Sequence, residues 1–128
     1  MSAMIHGLAV AGGAAAGALL RWRVGVSFNA LWLGFPLGTL LVNVLGGFAI
    51  GMALEWFGRQ PDELLKVLLV TGFLGGLTTF SAFSGESLSL LQRGHTWMAL
   101  GHAAAHVLGS LAAAALGMGM IRLILDKA

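Results

Sequence analysis

The chain has no cysteine, which excludes both a disulfide and a thiolate metal site. Charge is almost as scarce: seven Lys and Arg and five Asp and Glu occur in 128 residues, 9% of the chain. No basic cluster is present, so the pI near 10 reflects a net charge of only +2 and gives no footing for nucleic acid. No Lys or Arg precedes the first apolar stretch, whereas Arg21 and Arg23 follow its apolar part, the reverse of a secretory signal. That stretch is therefore expected to be a retained helix. What fills the chain is apolar: 58% of residues are hydrophobic and the mean hydropathy is +0.90, outside the range of ordinary soluble domains.

Four apolar stretches cover residues 4–26, 35–57, 64–91 and 96–121. Each exceeds the ~20 residues that cross a hydrocarbon core about 30 Å thick at 1.5 Å per residue. Polar punctuation separates them: Asn29, then Gly58-Arg59-Gln60-Pro61-Asp62-Glu63, then Gln92-Arg93-Gly94-His95. The expected fold is all-α integral membrane, a single multi-pass domain of four transmembrane helices over residues 1–128.

With four spans, Arg59, Lys66, Arg122 and Lys127 share one side of the membrane, and Arg21, Arg23 and Arg93 the other. Four against three is almost no positive-inside bias, the signal that normally orients such a protein. Either the small bias suffices, or the chain inserts both ways and pairs antiparallel. Four short helices do not easily enclose a pore alone, so oligomerisation is expected. Gly13-Gly17, Gly47-Gly51 and Gly101-Ala105-Gly109 repeat small residues at the spacing that lets helices touch backbone to backbone, within a subunit or between subunits.

The third stretch contains Thr71-Gly72-Phe73-Leu74-Gly75-Gly76-Leu77-Thr78-Thr79-Phe80-Ser81-Ala82-Phe83-Ser84 at mid-depth. Glycines, β-branched threonines and serines each weaken helical continuity. The sequence predicts a broken third helix with carbonyls turned outward from about Gly75 to Thr78. Irregular backbone inside a bilayer survives only where protein or a water-filled cavity satisfies it, and such breaks mark ion or substrate sites.

Polar side chains deep in the spans are few. Thr39 and Asn43 share a face of the second helix, where the Asn43 amide is either interhelical glue or a pair of N–H donors turned into an aqueous path. His102, His106 and Ser110 form an i, i+4, i+8 stripe on the fourth helix. Two His at i, i+4 also have metal-ligand spacing, but no acidic partner stands near them in sequence. Phe80 and Phe83 pack, or present electropositive ring edges to an anion. Thr79, Ser81 and Ser84 add hydroxyls, and Glu86 caps a polar network, reaches the interface, or serves as the proton site of an antiporter.

Taken together, these residues resemble the small bacterial fluoride channels of the CrcB/Fluc family. The resemblance runs through Gly-Ala-Leu-Leu-Arg21-Trp, Gly38-Thr39-Leu40-Leu41-Val42-Asn43 with Gly46, and the Gly72–Ser84 string with Glu86. It implies a dual-topology antiparallel homodimer in the bacterial inner membrane that exports fluoride passively and relieves its toxicity, with no enzymatic chemistry. The resemblance places the fluoride pathway at Asn43, Phe80, Phe83 and, along helix four, His102, His106 and Ser110, and Thr39, on the Asn43 face, is expected to line it too. It also implies a structural, non-transported sodium ion on the backbone carbonyls of Gly75 and Thr78, and gives Arg21 the place of the arginine ending helix one. Ala82 stands where the family often has a hydroxyl, and two histidines stand where the helix-four track is commonly Tyr, Ser or Thr. The alternative is a small dual-topology proton-coupled drug antiporter using Glu86; it wants a carboxylate nearer the bilayer centre.

Overall fold

The computed structural model describes residues 2–32 and 34–128. Among these residues, four helices are long and apolar enough to cross a membrane: Ala3–Phe28, Leu37–Arg59, Glu63–Gln92 and Thr96–Lys127. The third is interrupted. We label Ala3–Phe28 α1, Leu37–Arg59 α2, residues 63–77 α3, Phe80–Gln92 α4 and Thr96–Lys127 α5.

Local chemistry explains where the helices begin. Ser2 caps α1, and because that helix continues to Phe28, Arg21 lies within it rather than at its end. Pro36 has no N–H and an extended backbone, so α2 starts at Leu37 instead of residue 35. Pro36 has no side chain able to cap, and Asn29 from the preceding turn does so: the Thr39 N–H donates to Asn29 Oδ1 at 3.0 Å. Asp62 caps the start of α3 through the Leu65 N–H at 3.0 Å. Gly94, at φ +80°, makes the turn into α5, which runs past residue 121 to Lys127.

α3 begins with a single α-turn, Glu63–Lys66, and widens into a π-helix over Val67–Leu74 before a last turn, Gly75–Leu77. Wide turns of this kind are uncommon and concentrate at functional sites. Here they lie against α1, where backbones meet directly. A Cβ on Gly13 would stand 2.8 Å from the Phe73 nitrogen, and one on Gly17 2.7 Å from the Leu77 nitrogen. From the other side, a Cβ on Gly72 would stand 2.9 Å from the Val10 carbonyl oxygen, and one on Gly76 3.0 Å from Ala14 Cα.

α2 and α5 meet in the same manner. A Cβ on Gly47 would stand 2.7 Å from the Ser110 carbonyl oxygen, Gly51 lies against Ala114, and Gly117 against Phe48. Gly13-Gly17 and Gly47-Gly51 therefore pack helices within one subunit. Gly101 differs: a Cβ there would have no neighbour within 4 Å among the described residues. Val42, Leu74 and Leu77 form the buried centre, with Val24, Ile50 and Phe73 around them.

Candidate ion pathway at the helix break

The interruption falls at Thr78 and Thr79, both with extended backbone, while Gly75–Leu77 remain helical. It is thus narrower than the stretch from Gly75 to Thr78 expected from composition. Asn43, on α2, explains its position. The Thr79 N–H donates to Asn43 Oδ1 at 2.9 Å, and Asn43 Nδ2 donates to the Thr79 carbonyl at 3.1 Å. The side-chain amide thereby satisfies both backbone polar groups of an extended residue at mid-span. Such groups are costly to leave unpaired in hydrocarbon.

Diverting those groups frees carbonyls on α3. In a continuous helix the Thr79 N–H would serve the Gly75 carbonyl, and the Ala82 N–H the Thr78 carbonyl. The first goes to Asn43 and the second to Thr79 Oγ1, the N-cap of α4, at 3.0 Å. Between them, the Gly76 carbonyl takes Arg21 Nε at 3.0 Å. Gly75 and Thr78 thus lose their helical donors, and Gly75 is exposed on the surface of the subunit.

On the α4 side of the break the polar residues form a second cluster. Thr39 Oγ1 donates to Glu86 Oε2 at 2.6 Å, and Glu86 Oε1 lies 3.1 Å from His102 Nε2. The other ring nitrogen of His102 is 2.9 Å from Ser87 Oγ. His102 is fully buried, with Phe35 edge-on and Phe83 stacked, each at a centroid distance of 5.3 Å. Glu86 does not stand alone; it joins a polar network between α2 and α5. The acidic partner that His102 and His106 lack in sequence is supplied by the fold, since Glu86, His102 and His106 bring ligand atoms within 4.8 Å of one another.

His106 links the two clusters. Its Nδ1 is 3.0 Å from Asn43 Nδ2, and its ring lies 4.6 Å from that of His102 and 4.7 Å from that of Phe83. Ser110 Oγ donates to the Asn43 carbonyl at 3.3 Å. Asn43 Nδ2 therefore lies within hydrogen-bond distance of both the Thr79 carbonyl and His106 Nδ1. A cavity of about 460 Å³ is lined by Asn43, Thr78, Thr79, Phe80, Phe83, His106 and Ser110. A second, of about 360 Å³, is lined by Arg21, Asn29, Thr39, Thr79 and Glu86. Thr79 borders both, which puts the break between the two spaces.

Three expected side chains lie at the surface of the subunit. Phe80 is 78% exposed, although it touches Phe83 at a centroid distance of 5.5 Å. Ser81 and Ser84 are exposed too; Ser84 Oγ donates back to the Phe80 carbonyl, and Ser81 pairs with Thr79. Conversely, Ser87, Phe35 and Asn29 join the network without a sequence signal, because only the crossing of α4 with α5 and the turn before α2 bring them in.

Four apolar helices, one broken at mid-span beside cavities lined by hydroxyls, an amide, imidazoles and aromatic edges, define a multi-pass membrane protein of the channel and transporter class. Residues 8–118 match the family model described as CrcB-like protein, Camphor Resistance (CrcB), and the chain belongs to that family. It is 55% identical over 113 residues to a protein of Aromatoleum aromaticum named fluoride-specific ion channel FluC, covering 86% of each chain. Proteins of the same name from Tolumonas auensis and Pseudomonas aeruginosa are 49% and 48% identical, over 91% and 94% of this chain and 94% and 96% of theirs.

Proposed function

We propose that this protein is a fluoride-selective channel that lets the ion leave the cell passively across the inner membrane. The observation that carries this reading is the cavity at the break, walled by Phe80, Phe83, His106 and Ser110, in a chain 55% identical to a protein named as a fluoride-specific channel. Hydrogen fluoride enters a cell as a neutral weak acid and ionises inside, so an anion path drains it down its gradient. Fluoride holds water tightly. A path for it must replace that water with donors and ring edges, yet bind weakly enough to release. Glu86 is held by Thr39 and His102, and with these relatives this favours the channel over a proton-coupled drug antiporter.

The working unit we propose is an antiparallel homodimer of dual topology embedded in lipid. Phe80, Ser81, Ser84 and Gly75 leave one side of the break uncovered on a single subunit, and the near-even placement of Arg and Lys suits insertion both ways. The freed Gly75 and Thr78 carbonyls fit a structural sodium ion at that junction. It would neutralise carbonyl dipoles at mid-membrane and would not be carried.

Purified protein in liposomes, with efflux followed by a fluoride electrode, tests the reading. Fluoride efflux is expected, and its absence from folded protein, or proton-driven uptake of organic cations, overturns it. Phe83→Ile should slow efflux without changing the oligomer; full efflux would leave that ring a packing residue only.

A further inference from the structure

The fold assembles a ligand set that the sequence leaves scattered. Glu86 on α4 and His102 and His106 on α5 each place one ligand atom, a carboxylate oxygen or a ring nitrogen, within 4.8 Å of the other two. Both histidines are buried, His102 completely and His106 at 5% exposure, whereas the Glu86 side chain is 18% exposed. Ionisable groups inside a membrane span are costly to place there and mark function. His106 adds a second observation. Its Nδ1 lies 3.0 Å from Asn43 Nδ2, and its Nε2 is the one buried side-chain nitrogen or oxygen without a hydrogen-bond partner among the described residues. A buried nitrogen left unpaired calls for an explanation such as an ion.

We propose that Glu86, His102 and His106 form a site for one zinc-class divalent cation. Two neutral imidazoles and a carboxylate suit zinc, cobalt or nickel, whereas magnesium and calcium take oxygen. A tetrahedral ion with bonds of about 2.0–2.2 Å spreads its ligands about 3.4 Å apart. Glu86 Oε1 and His102 Nε2 are already 3.1 Å apart, and the His106 nitrogen closes by no more than about 1.4 Å, within reach of a side-chain rotation. The fourth position stays open to water.

The surrounding contacts suit the ion. Thr39 Oγ1 donates to Glu86 Oε2, the oxygen not paired with His102, and steadies the carboxylate. Binding takes the hydrogen off His102 Nε2 and leaves the ring hydrogen on Nδ1, where Ser87 Oγ at 2.9 Å accepts it; a hydroxyl serves either tautomer. At His106 the ion replaces the Asn43 contact, while Asn43 keeps both of its bonds to Thr79. The ion arrives at the carboxylate, so the histidines need no exposed surface of their own. Glu86 lines one cavity of about 470 Å³ with Asn29, Ser89 and Arg93, and the cavity of about 360 Å³ with Arg21 and Thr79.

Cobalt is the probe, because its visible absorption reports the number of ligands. The untagged full-length protein in detergent, stripped with chelator, should take up one Co²⁺ per subunit with the intense bands of a four- or five-coordinate site, and lose them to added Zn²⁺. His102→Gln and His106→Gln should each weaken binding roughly tenfold or more, and Ser87→Ala about tenfold, the scale of a group that holds a ligand in place. Replacing His6 and His95, the two histidines outside the cluster, by Gln should leave the spectrum unchanged. The proposal is overturned by folded protein that takes up neither ion, by bands undiminished in both His102→Gln and His106→Gln, or by bands lost with His6 and His95. Fluoride efflux from liposomes should slow on loading with Zn²⁺, because the ion ties α4 to α5 beside the break. A metal-free channel that passes no fluoride would strike the fluoride reading and leave the site standing, since the cobalt spectrum is read without flux.

Discussion

The two halves of the broken span are held by opposite means. α3 sits against α1 with no side chain between the backbones at Gly13, Gly17, Gly72 and Gly76, a contact that tolerates nothing larger. α4 is held by side chains at a distance: Thr39 and His102 on Glu86, and Ser87 on His102. Close backbone packing is rigid and indifferent to charge. A hydrogen-bonded suspension is selective in geometry but open to substitution. The break thus joins a fixed half to a half whose position depends on polar chemistry, and the candidate ion path runs along the second.

The largest effect should come from disturbing the rigid half. Gly17→Val places a branched side chain against the Phe73 and Leu77 backbones, which cannot yield as a flexible side chain can, and should cost about 3 kcal/mol or more of stability. Unchanged thermal unfolding in detergent would show that α1 and α3 separate more easily than the glycine contacts allow. Next is the joint itself: Asn43→Leu leaves the Thr79 N–H and carbonyl unpaired, at about 1–3 kcal/mol for each group. Hydrogen exchange at Thr79 should rise in that variant, and protection equal to wild type would mean that another group closes the break.

In the suspended half, Ser87→Ala removes one hydrogen bond and should cost about 1 kcal/mol, with efflux altered more than unfolding temperature. The smallest effect is expected at Gly101, where Ala has free space and should stabilise α5 by about 0.5–1 kcal/mol. A Gly101→Ala variant that falls apart on size-exclusion chromatography would reveal a second subunit packed against that face.

The spans were legible because hydropathy and length alone determine which segments can cross a bilayer, and the weakness near Gly75-Gly76 was legible from residue types. The position of the break was not. Composition weakens every residue from Gly72 to Ser84, and it is a side chain on another helix, Asn43, that selects Thr79. The histidine stripe was visible as spacing, but its partnership with Glu86 spans 16 residues and depends on how α4 and α5 cross. Small-residue spacing marked close packing without saying against what, and only the folded chain separates Gly13, Gly17, Gly47 and Gly51, which pack within the subunit, from Gly101, which meets no neighbour among the described residues.

The Asn43 carboxamide is, chemically, a peptide group carried on a side chain. Beside Thr79 it makes the paired N–H and C=O contacts that a neighbouring strand would make, so the membrane protein contains one rung of a β-ladder without a second strand. Serine and alanine lack such a rung, and aspartate supplies only half of one. The backbone at residue 79 therefore demands asparagine before any ion arrives.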